Sequence, residues 1–211
     1  TSLLIVPITI NYLNNEVYGI WMTISSMLFW ISTFDIGLGN GMRNYLTKAI
    51  SEKDLTLGRK YISTTLSLLS LIAITIGFLL LIPLFTINFN KFFNTFAISN
   101  VDLRNALFVA LAFTLLNFVT KNIGLIFVAM QKYAINDLLS VLGNLLSLAI
   151  IFILTKTTSP NLLYVIFTYT ATQCFVYLFA AIPLFTKYKE LRPSLNYFDR
   201  SLSRQIVGKG L

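Results

Sequence analysis

The chain contains no histidine and a single cysteine, Cys174. Without histidine it lacks the commonest metal ligand and the side chain that most readily exchanges protons near neutral pH. One cysteine, set inside an apolar run, excludes an intrachain disulfide and any cysteine-based metal site, so no metal centre is expected. Charge is scarce as well: 11% of residues are charged, against roughly 25% in an average domain. Acidic groups are the rarest, 8 Asp and Glu beside 16 Lys and Arg, for a net charge of +8. What fills the chain instead is apolar, 56% of residues, with a mean hydropathy of +0.76. That composition excludes a water-soluble fold. In a soluble protein the positive balance would suggest a nucleic-acid partner. Here the cations lie between apolar runs, where membrane topology and anionic lipid account for them, and no nucleic-acid partner is expected.

The apolar runs are Thr1–Ile10, Val17–Met42, Tyr61–Ile87, Leu103–Met130, Leu138–Thr155 and Leu162–Thr186. The last five approach the roughly 17–25 residues that cross a bilayer as a helix. Thr1–Ile10 is too short to cross and reads as the tail of a first helix. Arg43, Lys48, Lys53, Arg59 and Lys60 follow the second run, and Lys187, Lys189, Arg192, Arg200, Arg204 and Lys209 follow the last. The alternate segments hold only Lys91, Arg104 and Lys156. This asymmetry is the positive-inside pattern and orients every span. The expected loops on the outer side are Asn11–Glu16, Asn88–Asp102 and Lys156–Asn161. The short turn Gln131–Asp137 makes the fourth and fifth spans antiparallel neighbours. The run from Ala49 to Leu55 is expected to form a short surface helix, and Ser201–Leu211 a basic amphipathic segment. The fold class is therefore an all-α polytopic transmembrane helix bundle, with residues 1–190 as the helical lobe and 191–211 as a cytoplasmic linker.

Ionisable groups at bilayer depth cost several kcal/mol, which makes them candidates for function. Asp35 in the second span and Lys121 in the fourth qualify, the latter between Asn117 and Asn122. Each lies eighteen residues past the start of its span, about 27 Å from the outer face at 1.5 Å per residue. Equal depth permits a charge pair or a shared hydrated cavity, and spacing cannot say which faces they occupy. A pair formed for packing alone is the plainer reading of both. Arg43, at the inner end of its span, can snorkel to the surface as a topology anchor. Gly37, Gly39 and Gly41 weaken the helix. Gly37 and Gly41 have the spacing of a close helix contact, and a hinge or an unwound substrate contact is the alternative. The aromatics Tyr12, Tyr18, Trp21, Tyr61, Tyr164, Tyr188 and Tyr197 fall near expected interfaces and read chiefly as a membrane belt.

Phe34–Lys60 carries F-D-I-G-L-G-N-G-M-R-N-Y-L-T-K-A-I-S-E-K-D and then, from Gly58, G-R-K-Y-I-S-T-T. This resembles the second-to-third helix region of polysaccharide flippases, the O-antigen and lipid-linked oligosaccharide translocases of the multidrug/oligosaccharidyl-lipid/polysaccharide exporter superfamily. Upstream, Y-L-N-N-E-V-Y-G-I-W is similar to that family's first outer turn. Downstream, A-M-Q-K-Y-A-I-N-D-L-L-S-V-L-G-N is similar to its inner turn between helices four and five. The resemblance implies a two-lobed bundle of twelve or more helices around a cationic cavity, of which this chain supplies a partial helix one to helix six. It implies transport of undecaprenyl-pyrophosphate-linked glycans across the bacterial inner membrane by alternating access, alongside other polysaccharide-assembly proteins. Of the charged positions, the matching string carries over Asp35 and Arg43. Asn40 lies in the same string, and Lys121, Asn117 and Asn122 join the candidate set from depth. No cofactor is expected, though proton or sodium coupling through Asp35 is open. A multidrug-type exporter is the nearest alternative and would want a more acidic cavity. A membrane polymerase or glycosyltransferase would need a catalytic group on a sizeable aqueous loop, and the outer loops offer little room.

Overall fold

The apolar runs fold as α-helices, and no strand forms among the described residues. The computed structural model describes residues 2–33, 35 and 37–210, the side chains of 2–4, 32 and 207–210 excepted. Thr1, Phe34, Ile36 and Leu211, which belong to the first run, the family-like string and the terminal segment, lie outside them. The helices are α1 (Ser2–Leu13), α2 (Asn15–Thr33), α3 (Leu38–Ser51), α4 (Leu55–Thr86), α5 (Phe89–Phe93), α6 (Asn100–Thr120), α7 (Asn122–Ala129), α8 (Tyr133–Thr157), α9 (Leu162–Lys187) and α10 (Arg200–Gly210). Single 3-10 turns at Lys189–Leu191 and Leu195–Tyr197 connect α9 to α10. Among the described residues, four stretches are long and apolar enough to cross a membrane: α4, the α6–α7 pair over Asn100–Ala129, α8 and α9.

Three expectations are corrected by local backbone chemistry. The first outer loop is not six residues but one. Asn14 sits at φ 70°, donates its N–H to the Ile10 carbonyl, and uses Oδ1 to accept from Val17 N at 3.0 Å. It thus ends α1 and begins α2, a position that asparagine tolerates better than most residues. The run after Ala49 is no separate surface helix. It is the end of α3 and a turn through Lys53 at φ 61°, after which Asp54 caps α4 by accepting from Leu57 N at 2.8 Å. Nor is the second span one helix: it ends as α2 at Thr33 and resumes as α3 at Leu38.

The helix ends sort into two clusters, as alternating crossings require. At one end the Tyr12 hydroxyl donates to the Ser159 carbonyl at 2.7 Å, and Thr95 Oγ1 donates to Glu16 at 2.6 Å. At the other, Lys60 pairs with Asp199 at 3.3 Å, Arg59 donates to the Arg192 carbonyl at 2.7 Å, and Lys132 donates to the Tyr188 hydroxyl at 2.8 Å. The second is the basic end, the one the positive-inside pattern of the sequence expects on the inner side.

α6 lies at the centre, against α2, α4 and α9. Its Ala106 and Ala110 are buried and small, which lets neighbouring backbones approach closely. One apolar cluster fills the outer half around Leu13, Ile24, Leu103 and Ile166; a second fills the basic half around Met42, Leu46, Ile62 and Ile126. A third, with Leu38, Leu69 and Phe118, receives Leu202 and Ile206 of α10. The terminal helix is thus a strap folded back on α3 and α4. Outward, α4 displays Phe78, Leu79, Ile82 and Phe85, and α2 displays Phe29 and Trp30, all at least 63% exposed. So large an apolar exterior is untenable in water and is the surface a bilayer covers.

Candidate functional site

The break between α2 and α3 puts Asp35 beside the α6–α7 junction, where Lys121 stands. The Asp35 carbonyl accepts from Leu38 N at 2.9 Å, so its side chain sits just before the first turn of α3. The partial positive charge of that helix start favours a carboxylate there. Lys121 is the single residue that closes α6 and opens α7, so the partial charges of the two helix ends oppose each other there. Lys121 Nζ lies 3.9 Å from Asp35 Oδ2, and the two side chains keep 31% and 19% exposure. At that length the attraction is Coulombic rather than a direct hydrogen bond. The ammonium also lies 5.5 Å from the centre of the Phe118 ring. The equal depth inferred from spacing is thus accompanied by facing side chains.

The asparagines flanking Lys121 differ in setting. Asn122 is fully buried, and its amide nitrogen donates to the Phe118 and Val119 carbonyls at 3.0 and 3.2 Å. Its Oδ1 and that of Asn117 are buried without a hydrogen-bond partner. Asn122 Oδ1 faces Gly39, and an added Cβ there would overlap that oxygen, come within 2.7 Å of Leu125 Cδ1 and sit 3.3 Å from Asp35 Oδ2. Asp35, Gly39 and Asn122 therefore surround one small space. Unpartnered acceptors of this kind cost about 1–3 kcal/mol each and cluster at sites of function.

The other expected residues are not brought in. Arg43 donates to the adjacent Asn44 Oδ1 at 3.1 Å, away from the pair. Asn40 is exposed on the first turn of α3. The glycine reading also changes. Gly37 caps α3 at φ 73°, a conformation glycine adopts without strain. Gly39 admits α7, and Gly41 admits α10, where an added Cβ would overlap the Ile206 carbonyl. Sequence reasoning missed the contribution of Ile206. Its amphipathic segment was visible, but nothing in the pattern named α3 as its partner. Among the described residues no cluster of three or more metal-ligating side chains occurs.

A multi-pass helical fold with a charge pair at a helix discontinuity defines a membrane protein of transporter type. The chain belongs to the polysaccharide biosynthesis protein family, which it matches over residues 1–211. No curated protein and no solved structure matched it. Family and fold together point to a transporter for polysaccharide synthesis rather than to an enzyme.

Proposed function

We propose that the protein is a flippase that carries lipid-linked oligosaccharide, such as O-antigen repeat units on undecaprenyl pyrophosphate, across the bacterial inner membrane by alternating access. The observation that carries this reading is the Lys121 ammonium, held at bilayer depth beside a broken helix by a long, partly open contact with Asp35. A lysine ammonium that faces a carboxylate can exchange it for the oxygens of a pyrophosphate, which offer charge-assisted bonds in greater number. Retention of the pair in the empty state keeps the cation from being buried alone. Asp35, released when the head group arrives, is then the group to accept a proton or sodium ion and couple transport to a gradient.

The test uses the whole transporter in cells that depend on it. Lys121→Ala should lower glycan export per folded transporter, and Lys121→Arg should keep part of it. Full export with alanine would remove Lys121 from the site. Asp35→Asn should abolish any dependence on a proton or sodium gradient.

A further inference from the structure

At the end opposite the basic one, three helices begin around a single cavity of about 360 Å³. It is lined by the starts of α2, α6 and α9, with the side chains of Asn14, Ser99, Asp102 and Asn161 as its polar groups over a floor that includes Leu13 and Leu162. The volume falls within the range of small-molecule sites, roughly 300–1,000 Å³. Each polar group has part of its capacity taken and part left. Asn14 Oδ1 accepts from Val17 N and Asn161 Oδ1 accepts from Leu163 N, which leaves both amide NH2 groups as unengaged donors. Asp102 Oδ2 accepts from the Ser99 hydroxyl at 2.7 Å, which leaves its other oxygen as an acceptor.

The walls are fixed. Asn90 Nδ2 donates to the Thr95 and Ile98 carbonyls at 3.0 and 2.7 Å, and Thr95 is tied to Glu16, so the irregular segment before α6 is pinned. Tyr12 pins the α8–α9 turn through Ser159. A cavity organised before binding spends little on ordering its walls. We propose that this cup binds one neutral sugar ring, a hydroxyl-rich ligand that accepts from the two amides and donates to Asp102. The lone carboxylate disfavours an anion. The positive ends of three helices offset its charge and remove the need for a cationic ligand. That the sugar belongs to the transported glycan rests on the flippase reading.

The full-length transporter in nanodiscs, probed by saturation-transfer NMR with methyl glucoside and N-acetylglucosamine, tests this. Both sugars should receive saturation, and glucuronate should receive less. Asp102→Asn should weaken binding about tenfold or more, as expected for loss of a charged acceptor. Ala97→Trp, at an exposed rim position, should fill the cup and abolish the signal while thermal stability holds. Absence of saturation in the parent protein, an undiminished signal with Ala97→Trp, or preference for glucuronate would overturn the proposal. Lys121→Ala separates the two readings: undiminished export there sinks the flippase role of Lys121 and leaves the sugar signal as it was.

Discussion

Asp35 is placed where a helix start favours its charge, and Lys121 faces it as the opposite charge. Removal of one partner leaves an uncompensated ion, which costs about 3–5 kcal/mol when fully buried and less here, because both side chains stay partly exposed. Asp35→Asn and Lys121→Ala should each lower the yield of folded protein, and the double neutral variant should recover part of it. Quantitative membrane extraction and thermal melting read this directly; losses that simply add would show that the pair is not energetic. Gly37 makes a different demand on its residue type. At φ 73° a side chain costs about 1 kcal/mol, so Gly37→Ala should destabilise by that order without touching the pair, as measured by the same melts. The two unpartnered oxygens, on Asn117 and Asn122, could not be read from spacing, because partnership depends on what packs opposite.

Among the elements, α10 depends most on single contacts. Leu202 and Ile206 enter the core, and Gly41 gives the Ile206 carbonyl its space. Gly41→Leu should therefore undock α10 and let its helix unwind, so that trypsin cleaves after the exposed Arg200 and Arg204 at rates well above those of the parent protein. Unchanged proteolysis would mean that α10 docks without that contact. The strap also has a pH signature. Two hydrogen bonds that the Asp199 carboxylate accepts from Ser201, one from its hydroxyl and one from its backbone N–H, and the nearby Lys60 hold the Asp199 carboxyl below its usual pKa. A lowered folded-state pKa stabilises the strap at pH above the ordinary carboxylate range, and the contribution is lost as pH falls through the lowered value. Amide hydrogen exchange of α10, corrected for its intrinsic pH dependence, should quicken in that acidic window, and Asp199→Asn should flatten the response. Helix caps at this scale were partly legible. Ser99 with Asp102 forms a reciprocal cap that the sequence displays, whereas the turns at Asn14 and Lys53 hide inside runs that read as loop or helix.

For the molecule as a whole, the segregation of helix ends makes orientation testable. Cys174, the native cysteine, is buried, so engineered thiols report without background. Phe96→Cys, at the outer end and almost fully exposed, should react with an impermeant reagent in intact cells, and Ser51→Cys at the basic end should not. The reverse result would invert the orientation, and with it the assignment of the cup to the outer face.

Membership of a membrane, helical class and the alternation of crossings were determined by the sequence alone, because hydropathy and Lys/Arg placement act through the bilayer, a solvent that senses composition rather than contact. Spacing alone offered a common level for Asp35 and Lys121 only as an expectation, because it took the second span as one unbroken helix. Which faces they turn, and that Asn122 and Gly39 join them, was decided by tertiary packing. A helix break rotates everything after it, and the break at Gly37 depends on a left-handed backbone that no periodicity announces. The docking of α10 on Gly41 and the convergence of three helix starts on one cavity belong to the same class. Each requires segments far apart in the chain to meet, and their meeting is specified by mutual shape, which no local pattern encodes.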